Sequence, residues 1–502
     1  MLLYTGLLFF LTEFCQSASA EDLLSKHRFP DDFLFGVATS AYQIEGGQKG
    51  NGYGKNIWDY YMETYPGKFY SPGTAKIACD SFHKFREDVK LIKNLGVQFY
   101  RFSVSWGRVL PEGYSHNINK DGLRYYNDLI NELLANGIRP MVTMYHGDLP
   151  LALHELGGWT NPYMAYYFED YARVLYSYFG DRVKYWITFN GACIGYGDDG
   201  FVPFLNQSGI ANYLCNQVLT LAHAKAYHLY DKEFRILQKG KIGIVFSGNW
   251  YEPGSFAVDD IEAAERAMQF KVGIYANPIF HPDGDFPKLV RERVHDVSRK
   301  EGYLRSRLPE FSREEVEYVQ GTYDFLGFNC YTSFLVENVA EDTSEKTSFH
   351  KDLRVKTYQD KSWERGKSSW LGIYPEGTRK LLKWVKENYD DPEIIITENG
   401  FSDNGELNDV KRIKYYQKYL SAILDSIHED KVNVKGFAAW SLLDNFEWME
   451  GYSEKFGLYH VDFSDPDRKR TPKKSVQWYK KVVKERRIVE LDEISSRLKG
   501  DL

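Results

Sequence analysis

A chain of 502 residues that is 43% hydrophobic and 26% charged can bury a large core, which excludes a disordered or fibrous protein. A formal net charge of −7 gives no electrostatic basis for binding nucleic acid or an anionic membrane. Aromatic residues make up 16% of the chain; most must be core, but such rings also suit the C–H faces of sugars.

The N-terminus opens on an apolar run from Met1 to Leu11 and reaches Ala18-Ser19-Ala20. The run is too short to span a bilayer, and its small-residue ending fits signal peptidase. This predicts a secretory signal over 1–20, a mature chain of one domain over 21–502, and a secreted protein. No later stretch is apolar for long enough to span a membrane. Cys15 would leave with the signal, so Cys79, Cys193, Cys215 and Cys330 remain. An even count admits one disulfide, and buried free thiols fit a chain of this size equally. Asn206-Gln207-Ser208 is an N-glycosylation sequon. No cysteine or histidine spacing suggests metal ligation, and no glycine-rich phosphate loop precedes a helix. No metal or cofactor is implied.

Eight short stretches rich in branched or aromatic residues follow: 33–40, 97–104, 139–146, 183–190, 241–247, 323–331, 393–399 and 434–442. Amphipathic helical patterns lie between them. Over 80–95, Phe82, Phe85, Val89, Ile92 and Leu95 recur every three or four residues. The stretches 125–135 and 378–389 read the same way. Eight strand–helix alternations predict a single (β/α)8 TIM barrel. The C-terminal strand tips would then share one rim. They carry Gln43 and Glu45, Arg101, His146, Asn190, Asn329 with Tyr331, Glu398, and Trp440 followed by Asp444, Asn445, Glu447 and Trp448. Polar groups beside Trp describe a carbohydrate pocket. Glu398 ends the run Ile394-Ile395-Ile396-Thr397, so it sits at the tip of a strand buried on both faces. Taken alone it reads equally as a solvated strand-end carboxylate. Arg101 and Tyr331 could hold it ionised, or Arg101 could belong to a structural ion pair inside the barrel.

The sequence resembles glycoside hydrolase family 1, the β-glucosidases and myrosinases. The matching stretches are Phe33 through Gly46, Tyr100-Arg-Phe-Ser-Val-Ser-Trp106, Asp324 through Thr332, Ile396-Thr-Glu-Asn-Gly400 and Trp440 through Trp448. The resemblance covers nearly all of the mature chain. It implies a retaining glycosidase with Glu398 as nucleophile, flanked by Arg101 and Tyr331. The implied sugar-binding residues are Gln43, His146, Asn190, Trp440, Glu447 and Trp448, with Phe456 at the pocket wall. The implied partner is a small β-glucoside or thioglucoside.

One motif departs from the family. Its acid/base Glu follows a Thr-Phe/Leu-Asn stretch, and here Gly191 follows Thr188-Phe189-Asn190. Glycine can neither donate nor accept a proton. The family His-Trp-Asp is also altered, to His146-Gly147-Asp148. Three readings follow: a hydrolase for glycosides with activated aglycones, as in glucosinolate hydrolysis; a catalytically inactive sugar-binding member; or a conventional O-β-glucosidase with a substitute acid. The intact glycone set favours the first. Asp198 and Asp199 are near Gly191 in sequence only.

Overall fold

The computed structural model describes residues 24–71, 73–191, 193–197, 200–340 and 346–495. The expected secretory segment, Ala192, Asp198 and Asp199 lie outside the described residues.

Eight parallel strands close into a barrel in sequence order. They are β1 (Leu34–Ala38), β2 (Phe99–Ser103), β3 (Arg139–Tyr145), β4 (Tyr185–Asn190), β5 (Lys241–Ser247), β6 (Phe325–Asn329), β7 (Ile394–Asn399) and β8 (Val434–Trp440). Every residue of β2, β6 and β7 is buried. Strands covered on both faces need side chains that pack in both directions, and β-branched and aromatic residues do.

Helices cover the outside: α1 (Ser81–Leu95), α2 (Lys120–Ala135), α3 (Met164–Phe179), α4 (Ala211–Glu233), α5 (Val258–Met268), α6 (Pro375–Asn388), α7 (Val410–His428) and α8 (Lys474–Glu485). The helix expected over 80–95 forms. Phe85, Val89, Ile92 and Leu95 face the core, and Gly96 at φ 75° ends it in the left-handed region that glycine adopts freely. Phe82 is only half-buried, and the buried Arg108 guanidinium lies 4.5 Å from its ring centre. Outside the barrel, Trp250–Pro253, Ser333–Asn338 and Val355–Tyr358 form a small sheet that the eight-stretch reading omits. Its strands carry too many polar residues to stand out as apolar runs.

The register is irregular where function is expected. On β7, Ile396 pairs with Phe328 and Glu398 with Asn329, so two steps on β7 oppose one on β6. On β4, Ile187 pairs with Gly243 and Asn190 with Val245, three steps against two. Such bulges re-aim side chains at strand ends.

Candidate active site

The bulge on β7 puts Glu398 at the C-terminal rim with its side chain 7% exposed. Arg101, from β2, donates from Nη1 to Glu398 Oε1 at 2.6 Å and to the Thr397 carbonyl at 3.1 Å. The Tyr331 hydroxyl, just past β6, donates to Oε2 at 2.8 Å. Each carboxylate oxygen therefore has its own donor. Burial is the strongest influence on Glu398 and pushes its carboxyl above the ordinary value. The Arg101 charge and then the Tyr331 hydrogen bond oppose that rise. The two partners expected to hold Glu398 ionised are in place, and they work against desolvation.

A second layer fixes this one. Asn190 Oδ1 accepts from Arg101 Nη2 and from Asn329 Nδ2, the latter at 2.9 Å. Asn190 Nδ2 lies 3.0 Å from His146 Nε2, which is 3.9 Å from Glu398 Oε1. Thr397 Oγ1 donates to Asn329 Oδ1 at 2.8 Å. Tips of β2, β3, β4, β6 and β7 thus converge on one point. His146 is held well below its ordinary pKa by burial and then by the Arg101 charge, so its ring is neutral. Its Nδ1 is buried with no hydrogen-bond partner, a state that a bound hydroxyl or water would complete.

Gln43 closes the other side. Its Nε2 donates to Phe446 O at 2.9 Å, Asn445 Oδ1 at 3.0 Å and Glu447 Oε2 at 3.3 Å. Burial pushes the Glu447 carboxyl well up, and the charges of Glu454 and Glu398 add to the rise. Trp440 and Trp448 both lie near-parallel to one imidazole, 6.0 and 6.1 Å from the His146 ring centre. Phe456 lies 6.2 Å from the Tyr331 ring and 6.5 Å from Trp370. The residues expected to bind sugar form one contact cluster of polar groups and aromatic rings around Glu398.

Gly191 ends β4 at φ 72°, and a Cβ built there would touch nothing within 4 Å. Gly147 follows His146 at φ 88°, with only Trp448 Cη2 as close as 4.0 Å to such an atom. Both positions use the left-handed backbone that glycine adopts readily. The space beside them is bounded by Ile194 and Tyr196 from the following loop, and Cys193 of that loop is disulfide-bonded to Cys215 on α4. Cys79 and Cys330 are buried free thiols.

Not every rim group serves the pocket. Glu45 is tied to Arg108 Nε and the Tyr126 hydroxyl, each at 2.8 Å. Asp444 accepts from Lys473 Nζ at 2.9 Å and faces His460 at 2.9 Å. Asn206 stands apart on an exposed loop. Two tryptophans escaped the sequence reading. Trp58 lies 4.7 Å from Trp448 and donates from Nε1 to the Gly147 carbonyl; Trp370 lies 5.6 Å from Tyr331. Trp58 sits on a short helix over Ile57–Thr64 and Trp370 in a turn, both away from the eight strand-like stretches. Among the described residues one group could in principle ligate a metal: His27, Asp425 and Glu429. It sits at the C-terminal end of α7, at the barrel's opposite face, and Glu429 is already paired with Arg379 at 2.7 Å. Among the described residues no helix is long and apolar enough to cross a membrane.

A (β/α)8 barrel with a buried, cation-supported carboxylate and an aromatic-walled polar pocket at its C-terminal rim is the architecture of a glycosidase. The chain belongs to glycosyl hydrolase family 1, whose family model matches residues 25–488. It is 46% identical over 462 residues to Myrosinase 1 of Brevicoryne brassicae, covering 91% of this chain and 98% of that protein. It is 41% identical over 463 residues to human cytosolic β-glucosidase, again covering 91% and 98%. Among solved structures it resembles the aphid myrosinase, with a TM-score of 0.88 at 45% identity over 92% of this chain and all of that one. It also resembles a mutant rice β-glucosidase in a covalent complex with Glc, with a TM-score of 0.86 at 40% identity over 91% and 99%.

Proposed function

We propose that this protein is a retaining β-glucosidase-type enzyme for glucosides and thioglucosides whose aglycones leave as stabilised anions. Glu398 is the nucleophile. Its carboxylate attacks the anomeric carbon, the bond to the aglycone breaks, and the electron pair leaves with the aglycone. Water then attacks the anomeric carbon, the carbon–oxygen bond to Glu398 breaks, Glu398 returns as a carboxylate, and the water's proton passes through solvent to the departed aglycone anion. Arg101 and Tyr331 hold the two oxygens before attack and after release. Gln43, His146, Asn190 and Glu447 bind the glycone hydroxyls, and Trp440, Trp448 and Phe456 wall the ring. The rice relative in covalent complex with Glc supports a glycosyl-enzyme step, and the aphid myrosinase supports a thioglucoside.

The observation that carries the aglycone class is the wall beside Gly191. Among the described residues lining that space there is no Asp or Glu. His146 lines it but is neutral, so it offers no acidic proton near neutral pH. General acid help is worth roughly 10²–10⁴-fold, or about 3–5 kcal/mol of barrier. An alkyl aglycone bears that whole loss, whereas an aglycone that carries its own charge bears little of it. We further propose a secretory signal over 1–20, secretion of the mature chain, and glycosylation at Asn206.

The test is a leaving-group series of glucosides and thioglucosides at one enzyme concentration. The glycosylation rate should fall steeply as the aglycone becomes more basic. Similar rates for alkyl and activated glucosides would mean that another residue supplies the proton. Glucosides that bind but never react would mark a sugar-binding protein. A fluorinated glucoside with a good leaving group should label Glu398, and Glu398→Gln should remove the label because an amide is a far poorer nucleophile.

A further inference from the structure

The face of the barrel opposite the pocket carries a cluster that the chemistry above leaves unused. The segment 25–29 lies along that face and is pinned there. Ser25 N donates to Ser421 Oγ at 2.5 Å, Phe29 N donates to the Arg486 carbonyl at 2.8 Å, and His428 Nε2 donates to the Arg28 carbonyl at 2.7 Å. His27 sits between these bonds and stacks on His428, with ring centres 4.5 Å apart and planes 13° from parallel. Its ring is therefore held in place by contacts of its own.

Two carboxylates meet this imidazole. Asp425 is on the last turn of α7, and Glu429 follows the end of that helix. The ligand-capable atoms of His27, Asp425 and Glu429 all lie within 4.8 Å of one another. Glu429 is oriented by Arg379, whose Nη2 bonds Oε2 at 2.7 Å, and this pairing leaves Oε1 facing His27 Nε2 at 3.8 Å. That separation is too long for a hydrogen bond. It suits two ligands of one ion, because donors about 2.1 Å from a tetrahedral ion stand about 3.4 Å apart. Among the described residues the Asp425 carboxylate has neither a hydrogen bond nor an ion pair to spend it on. Outer partners that orient ligands, as Arg379 and His428 do here, are a regular part of metal sites.

We propose that His27, Asp425 and Glu429 bind one Zn²⁺ ion, with water completing its shell. The donor set selects the ion. Zn²⁺ takes imidazole nitrogen together with carboxylate oxygen, whereas Ca²⁺ and Mg²⁺ prefer shells made of oxygen alone. The ion clamps the segment 25–29 to the end of α7. It does so beside the seam of the barrel, since β1 begins at Leu34, β8 begins at Val434, and these two strands pair. A clamp between residues so far apart in sequence removes conformational freedom from the unfolded chain and so favours the folded one.

The test is on the full chain, stripped of metal with a chelator and dialysed. Zn²⁺ titrated by calorimetry should bind at one site, and Mg²⁺ and Ca²⁺ should bind more weakly. His27→Ala and Asp425→Asn should each weaken Zn²⁺ by at least about tenfold, the loss expected when a metal site loses even a supporting group. Asp425→Asn keeps the shape of the side chain, so it serves if removing the His27 ring disturbs the segment. At free Zn²⁺ of about 100 times Kd, the unfolding equilibrium of the unmodified protein should fall about 100-fold, read as a rise in Tm. Both variants should lose that rise. No Zn²⁺ isotherm, no rise in Tm, or tighter binding of Ca²⁺ than of Zn²⁺ would each overturn the proposal. So would an isotherm that both folded variants retain, because the ion would then be held by other histidines.

Discussion

At the scale of the residue, Gly191 matters for what its backbone does as much as for the side chain it lacks. Its φ of 72° belongs to a region where an ordinary residue costs about 1–2 kcal/mol. Gly191→Glu therefore adds a carboxylate to a strained position. We expect it to lower stability in a denaturant titration by about 1–2 kcal/mol and to restore less than the roughly 10²–10⁴-fold expected of a well-placed acid. Full restoration on alkyl glucosides at unchanged stability would show that the backbone at 191 relaxes. A second consequence appears in the pH profile. Bell-shaped profiles need an essential acid as well as an essential base. Here the nucleophile Glu398 must be ionised, and burial raises its carboxyl. The acid limb of kcat/KM on an activated glucoside should therefore lie above the ordinary glutamate value. No descending limb should follow at higher pH. A symmetrical bell would reveal a protein acid outside the described wall beside Gly191.

At the scale of the element, the strands were legible and the loops were not. Eight runs of branched residues mark strands because a barrel strand must be apolar on both faces, and rim residues lie within a few positions of those runs. Gln43, Arg101, His146, Asn190, Glu398 and Glu447 could be found that way. Trp58 and Trp370 could not: Trp58 stands on an eight-residue helix between β1 and β2 and Trp370 in a turn between β6 and β7, and neither segment adjoins a strand-like run. Glu45 and Asp444 also ended strand stretches, yet each spends its charge on a cation outside the pocket. The cysteine pairing was equally hidden: spacing alone cannot say that Cys193 and Cys215 have Cα atoms 5.9 Å apart. The bridge closes a loop with a sequence separation of 22 between the tip of β4 and α4. Loop-closure entropy makes such a bridge worth about 3 kcal/mol. Cys215→Ser should lose about that much in a chemical denaturation and should weaken ligand binding beside Gly191 more than it weakens glucose. An equal loss for both ligands would mean that the bridge stabilises the barrel without shaping that wall.

At the scale of the whole molecule, the barrel buries many charges, and most of those among the described residues are ion-paired. Arg108 meets Glu45, Arg412 meets Asp409, and Arg470 meets Asp88, all at 2.8–2.9 Å. Breaking such a pair leaves a naked buried charge, so the pairs act together as a constraint on the fold. Asp148 is different. It follows Gly147, is 1% exposed, and neither carboxylate oxygen has a well-formed hydrogen bond; Ser105 and nearby backbone amides approach without completing one. Burial pushes its carboxyl up to about 7, with a smaller push from Glu45. The folded state therefore prefers protonated Asp148, while the unfolded chain ionises near 3.8. A carboxyl raised in this way contributes stability below the unfolded value and loses it as pH climbs through the folded one. At about 1.4 kcal/mol per pH unit the loss amounts to as much as about 4 kcal/mol between about pH 4 and about pH 7. Asp148→Asn keeps the shape and removes the titration. The variant should match the unmodified protein near pH 4 and become progressively more stable than it up to about pH 7, with a constant advantage above that. Thermal melts of the two proteins across this range are the measurement. A difference in Tm that does not change with pH would mean that Asp148 stays ionised in the folded barrel, held by a donor such as Ser105 that closes on it in solution.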